Sequence, residues 1–158
     1  MSKITRHQQR IWGLQILYSI DLKNKFNLEN AEKEIENLKE KNQLTEKKYY
    51  FEKLVTGIIE NREELDKYIN KKAVDWTIER MAVIDRNILR LSLYEMEEDL
   101  VPVGVAINEA VELAKEYGDE KSSGFINGIL ARAWFFSFFI VKFIIRNKVS
   151  KFTNRYSQ

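Results

Sequence analysis

Four residues at the front of the first amphipathic segment have the chemistry to hold an anion. In "ITRHQQRIWGLQILYSIDL", residues 4–22, an apolar helical stripe begins at Ile11. The turns before it carry Arg6, His7 and Arg10, with Lys3 just ahead. Cations at a helix start face the positive end of its macrodipole, an unfavourable placement of some tenths of a kcal/mol each. No acidic residue offsets them before Asp21. Free N–H groups and arginine forks suit a phosphate, and Arg6 and Arg10, four apart, fall on one helix face. A solvated first turn whose charges only aid solubility accounts for the same residues equally well.

A second cluster lies in "EYGDEKSSGFING". Tyr117 and Phe125 bracket a turn that carries Lys121, Ser122 and Ser123. Aromatics that stack on bases, beside cations and hydroxyls that reach phosphates, are the vocabulary of RNA surfaces. Helical periodicity favours the plainer use of both rings as core and of the serines as caps. Catalytic chemistry finds no such footing. Glu63, Glu64 and Asp66 read as solvated surface charge, since unpaired acids are rarely buried. The six glycines are scattered and form no phosphate-binding loop. With a single histidine and no cysteine, a thiolate or His-rich metal site and a Ser-His-Asp triad are not expected. The chain reads as a binding protein, not an enzyme.

The elements that must position these residues are helices. One proline in 158 residues and an abundance of Glu, Lys, Leu and Ile point to an all-α chain. Thr5 and Gln8 fit a capping box ahead of the first helix, with Ile11, Leu14, Tyr18 and Leu22 as its inward stripe. A second, highly charged helix carries Leu28, Ala31, Ile35 and Leu38 on one face. A third is expected from Thr45 to Ile69, with Phe51, Leu54, Val55, Ile58, Ile59 and Leu65 inward. A short helix near Trp76 precedes a longer one with Ile84, Ile88, Leu91 and Tyr94. Pro102 suits the first turn of the next helix, which ends at Gly118 as a C′ residue. The last helix starts between Asp119 and Ser123. The total is about seven helices joined by short loops. The N-terminus has no apolar h-region, so a secretory signal is not expected.

In "RHQQRIWGLQILYSIDL", "NREELDKYI", "WTIERMAVIDRNILRLSLYEM" and "VPVGVAINEAVELAKEYGDEKSSGFINGIL", taken in that order, the chain resembles the bacterial transcription antitermination factors of the NusB family. The resemblance covers essentially residues 4–133. It implies an all-α fold of two packed three-helix subdomains, no cofactor and a cytoplasmic protein. It implies two partners, ribosomal protein NusE and the boxA element of nascent RNA, within the RNA polymerase antitermination complex. The family's N-terminal RNA patch falls on Lys3, Arg6, His7 and Arg10, and its aromatic turn on Tyr117, Lys121 and Phe125. The NusE-facing surface falls on Tyr18, Leu22, Glu79 and Asp85. Family members of monomeric and dimeric type leave a homodimer open.

One departure follows residue 133. The segment "WFFSFFIVKFIIRNKVSKFTNRYSQ", residues 134–158, holds six of the nine phenylalanines, five basic residues and no acid. Removing those five charges from the net +2 leaves −3 for residues 1–133, a body too acidic for broad nonspecific nucleic-acid binding. The sequence therefore divides into a NusB-like RNA-binding helical domain, 1–133, and an atypical apolar and basic tail, 134–158. The run from Trp134 to Ile145 contains Lys142 and is short for a membrane span. An amphipathic surface helix, a self-association segment and an altered reading frame all fit it. Two other functions compete with antitermination: an RNA-binding module acting in trans for an rRNA-modifying enzyme, and a self-associating helical protein without RNA function.

Overall fold

The computed structural model describes residues 3–135, and in that span the chain is all helix and loop. Seven helices appear: α1 Arg6–Leu22, α2 Leu28–Lys41, α3 Tyr50–Glu60, α4 Arg62–Lys72, α5 Val83–Glu97, α6 Val103–Tyr117 and α7, residues 122–135. A single 3-10 turn, Ile78–Arg80, precedes α5. The expectations for the tail beyond residue 135 lie outside the described residues.

Local chemistry sets the boundaries. The Thr5 hydroxyl accepts the Gln8 N–H at 3.1 Å, which caps α1 as the sequence suggests. Asn27 caps α2 in the same way. The long third helix expected from Thr45 to Ile69 is instead two. It begins only at Tyr50, where the Glu52 carboxylate accepts the Tyr49 N–H at 2.6 Å. The Gln9 side chain, reaching from α1, accepts the Phe51 N–H at 3.2 Å. Asn61 interrupts it, because its side-chain amide donates to the Gly57 carbonyl at 2.7 Å and competes with the helical ladder. Pro102 stands at the N-cap of α6, one residue before the first turn. Gly118 does follow α6, but with φ −88°. Space rather than a left-handed backbone requires it: a Cβ there would overlap Ser122 and the Ala114 carbonyl.

The core runs between α1 and α5. α1 packs on α2, α3 and α5, and α5 packs on α1, α3, α4 and α6. Three helices, α1–α3, form one group. The other gathers around α5 with α6 and α7, and α4 bridges the two. One apolar cluster joins them, with Leu17, Phe51, Ile58, Leu65, Ile88, Leu113 and Ile129 fully buried. The inward stripe of α1 differs from the expected one. Ile11, Leu14, Leu17 and Ile20 are buried, whereas Tyr18 is 38% and Leu22 57% exposed. Being covered by three helices, α1 needs a broader apolar face than a four-residue stripe, and Tyr18 and Leu22 fall just outside it.

Candidate nucleic-acid interface

At the head of α1 the cations expected to act together separate. Lys3 and Arg6 are exposed. Arg10 is only 3% exposed. Its Nε and Nη2 donate to both carboxylate oxygens of Glu95 on α5, at 2.9 to 3.1 Å. Glu95 is fully buried, and the Tyr50 hydroxyl also donates to it, at 2.5 Å. The reading of Arg10 as an open RNA contact is therefore corrected geometrically: it is an internal anchor between α1 and α5. Burial opposes its charge, but the hydrogen bond and the negative charges of Glu95 and Glu109 outweigh that and hold the guanidinium in its charged form. Burial, reinforced by Glu95, pushes the Tyr50 phenol well above its usual value, so its proton stays on the bond to Glu95.

His7 is tethered too. Its Nδ1 lies 2.7 Å from Glu109 and its Nε2 3.7 Å from Glu116, both on α6. The acids that the first turns of α1 lack thus arrive through space from α5 and α6. Arg6 is placed differently. Its guanidinium carbon sits 3.8 Å from the centre of the Tyr50 ring, a stacked cation–π contact. The local dipole conflict is resolved for His7 and Arg10 by carboxylates, and for Arg6 by an aromatic face that leaves its charge unneutralised.

The second cluster is split. Lys121 and Tyr117 are exposed, while Phe125 is half-buried and packs on the core. Asp119 shapes the turn by accepting the Lys121 and Ser122 N–H groups at 2.8 and 3.0 Å. Tyr117 lines an apolar groove of 300 Å3 with Ile11, Leu14, Gln15, Tyr18 and Ile84. Residues read separately as an RNA contact, Tyr117, and a protein contact, Tyr18, share one depression.

Of the remaining protein-facing residues, Glu79 is exposed on the 3-10 turn. Arg86 links this turn to the end of α1, because its guanidinium binds Asp21 at 2.6 Å and donates to the Ile78 carbonyl at 3.5 Å. Asp85 does not lie on the surface. It is 8% exposed, and its Oδ1 has no hydrogen-bond partner. Burial raises its pKa, Asp119 raises it further, and the Ser122 hydroxyl only partly offsets this. The resemblance put Asp85 on the NusE-facing surface; instead α5 is buried on nearly all sides, and the turn before α7 covers Asp85.

A second buried network joins the two halves. Asp21 accepts from Arg86, from Asn87 at 2.8 Å and from Arg90 at 2.8 Å. Arg90 also binds both oxygens of Asp66, at 2.7 and 2.9 Å. Asp66 is thus a structural ligand, not the surface charge its sequence neighbourhood suggested. Burial pushes the Asp21 carboxyl up, but the hydrogen bonds and cations around it prevail and hold it below the usual carboxylate range. Sequence reasoning missed Tyr50, Glu95, Glu109 and this network. A signal existed for Glu95: in "LSLYEMEED" it falls on the helical face of Ile88 and Leu91 rather than with the exposed acids that follow, and a buried carboxylate needs a partner. Among the described residues no cluster could hold a metal ion, and no helix is long and apolar enough to cross a membrane.

Comparison with known proteins bears on this surface. The model of the NusB family matches residues 7–134. A transcription antitermination protein NusB from Halothermothrix orenii is 58% identical over 131 residues, covering 83% of this chain and 97% of that protein. Among solved structures, T. maritima NusB is similar with a TM-score of 0.71 and 32% identity, over 83% of this chain and 91% of that one. A structure described as antitermination factors NusB and NusE in complex with dsRNA is similar with a TM-score of 0.68 and 29% identity, over 80% of this chain and 92% of that one.

Proposed function

This chain belongs to the NusB family of transcription antitermination proteins, and from that premise we propose that it holds boxA RNA together with ribosomal protein NusE in the RNA polymerase antitermination complex. The family is one of antitermination factors, not of enzymes. The observation that carries the reading is the similar solved protein bound to both NusE and RNA. The site of action for such a partner set is the cytoplasm.

The RNA face of this proposal uses Lys3 and Arg6 directly, with His7 beside them. Tyr117 and Lys121 extend it, and Phe125 supports their turn from beneath. Arg10 serves the face from inside by fixing α1 on α5. The NusE face uses Tyr18, Leu22 and Glu79. Asp85, buried under the turn of Asp119 and Ser122, makes no direct contact with NusE in this reading. The mechanism is one of assembly: the cations and Tyr117 hold the nascent RNA, while exposed residues toward the C-terminal end of α1 hold the protein partner. No covalent step is involved.

The test is a binding titration with a boxA oligoribonucleotide, with and without NusE. Lys3→Ala should weaken RNA binding and reduce the slope of log affinity against log salt by about one, as for one lost phosphate contact. Leu22→Ala should weaken NusE binding while leaving binding of RNA alone unchanged. An affinity for RNA that neither Lys3→Ala nor Arg6→Ala alters would remove the N-terminal patch from the reading.

A further inference from the structure

We propose that Arg6, stacked on Tyr50, is a platform for an unpaired RNA base rather than only a clamp for phosphate; this rests on the RNA-binding reading above. Arginine guanidinium planes are among the surfaces on which splayed-out bases of single-stranded RNA stack. The contact here has the required form. The guanidinium carbon sits over the Tyr50 ring, 3.8 Å from its centre, a separation that suits a planar guanidinium lying flat on the ring. No carboxylate within ion-pair distance of Arg6 is found among the described residues. One face of the guanidinium is therefore occupied by the ring, and the exposed side chain offers the other to solvent.

The ring beneath is held from two directions. Its hydroxyl donates to buried Glu95, and Glu95 is clamped by both donors of Arg10. An aromatic whose polar end is fixed in the core and whose face meets a cation at the surface is preorganised, so little ordering remains when a base arrives. The groove beyond Tyr50 explains why the platform stays at its edge. Its walls carry Arg6, Lys48 and Lys53, but also Glu32, Glu36 and Glu60. With Glu52 these carboxylates outnumber the three cations, so the groove as a whole does not favour a phosphate backbone. Tyr50 is a positioning residue in this scheme, and Arg6 makes the contact.

The full chain with NusE and a boxA oligoribonucleotide tests the idea, with abasic nucleotides placed one at a time. In the unaltered protein, loss of one particular base should weaken binding about 5- to 100-fold. Arg6→Lys keeps the charge and removes the plane. It should weaken the intact RNA by a similar factor, keep the salt slope, and make that abasic position neutral. Tyr50→Leu should behave like Arg6→Lys, and Tyr50→Phe, which keeps the ring, should retain most of the base's contribution. If Arg6→Ala weakens binding while Arg6→Lys restores it and every abasic position behaves alike in both proteins, Arg6 is a phosphate clamp and the platform is wrong. If Arg6→Ala changes nothing, the RNA reading of this patch fails before the platform does.

Discussion

Arg6 and Arg10 are one helical turn apart and do opposite work. Removing Arg10 strands Glu95, a fully buried carboxylate that would keep only the Tyr50 hydroxyl among its present donors. Breaking a buried pair from one side typically costs about 3–5 kcal/mol, so Arg10→Ala should lower the urea midpoint markedly, whereas Arg6→Ala should shift it by less than about 0.5 kcal/mol. Equal midpoints for the two variants would refute the anchoring role. Two aspartates make the pH dependence run in opposite senses. Asp21 is held below its ordinary range by Arg86, Asn87 and Arg90 against the effect of burial. The stability it contributes is complete above the ordinary carboxylate pKa, about 4, and disappears as pH falls through its lower folded value. Asp85 is raised by burial and by Asp119. Its contribution is present below the ordinary value and is lost as pH climbs through the raised one. Asp85→Asn should therefore raise Tm at pH 7, with the gain shrinking toward pH 4, and Asp21→Asn should show its largest deficit at pH 7. Melting curves across pH 3–8 decide both.

At the scale of elements, the closest fit is where α3 meets α5. Gly57 faces Tyr94 so closely that a Cβ would overlap the phenol. Alanine is the better helix former by roughly 1 kcal/mol, yet Gly57→Ala should destabilise the protein, because a buried tyrosine on a packed helix cannot withdraw. A rise in Tm for Gly57→Ala would show that the helices separate easily. The elements themselves were largely readable from the sequence. Thr5 announced α1, the Ala31 and Ile35 face announced α2, and Ile88 and Leu91 announced α5, because apolar periodicity and caps are local. The division at Asn61 was not readable, since the stripe from Phe51 to Leu65 continues across it and only a side chain folding back on its own helix reveals the break. Of the candidate site, residue types were legible and their company was not. Arg10 and Arg6 look alike in sequence, and only α5 and α6, about 85 to 100 residues away, decide which is neutralised. The pairing of Tyr18 with Tyr117 in one groove was hidden for the same reason.

For the whole molecule, the loop between α4 and the 3-10 turn has a particular standing. Val74 is 73% and Trp76 50% exposed, so the chain is open to a protease there. A cut after Asp75 would leave Arg10, Asp21, Tyr50 and Asp66 on one piece and Arg86, Arg90 and Glu95 on the other. The ion pairs Arg10–Glu95, Arg86–Asp21, Arg90–Asp21 and Arg90–Asp66 all cross that cut. Each piece alone would have to dry unpaired ions to fold, a penalty of several kcal/mol per ion, whereas together they cancel. The two pieces should thus behave as lock and key halves: unstructured apart, and reconstituting a helical protein when mixed. Circular dichroism of the separate and combined fragments tests this, and a piece that folds independently would contradict it. Complementation should also be selective, because a first piece carrying Asp21→Arg would set a cation against both Arg86 and Arg90 and so reject the native second piece. The interior charges thereby act as an address that tells one half of the chain which other half it may join.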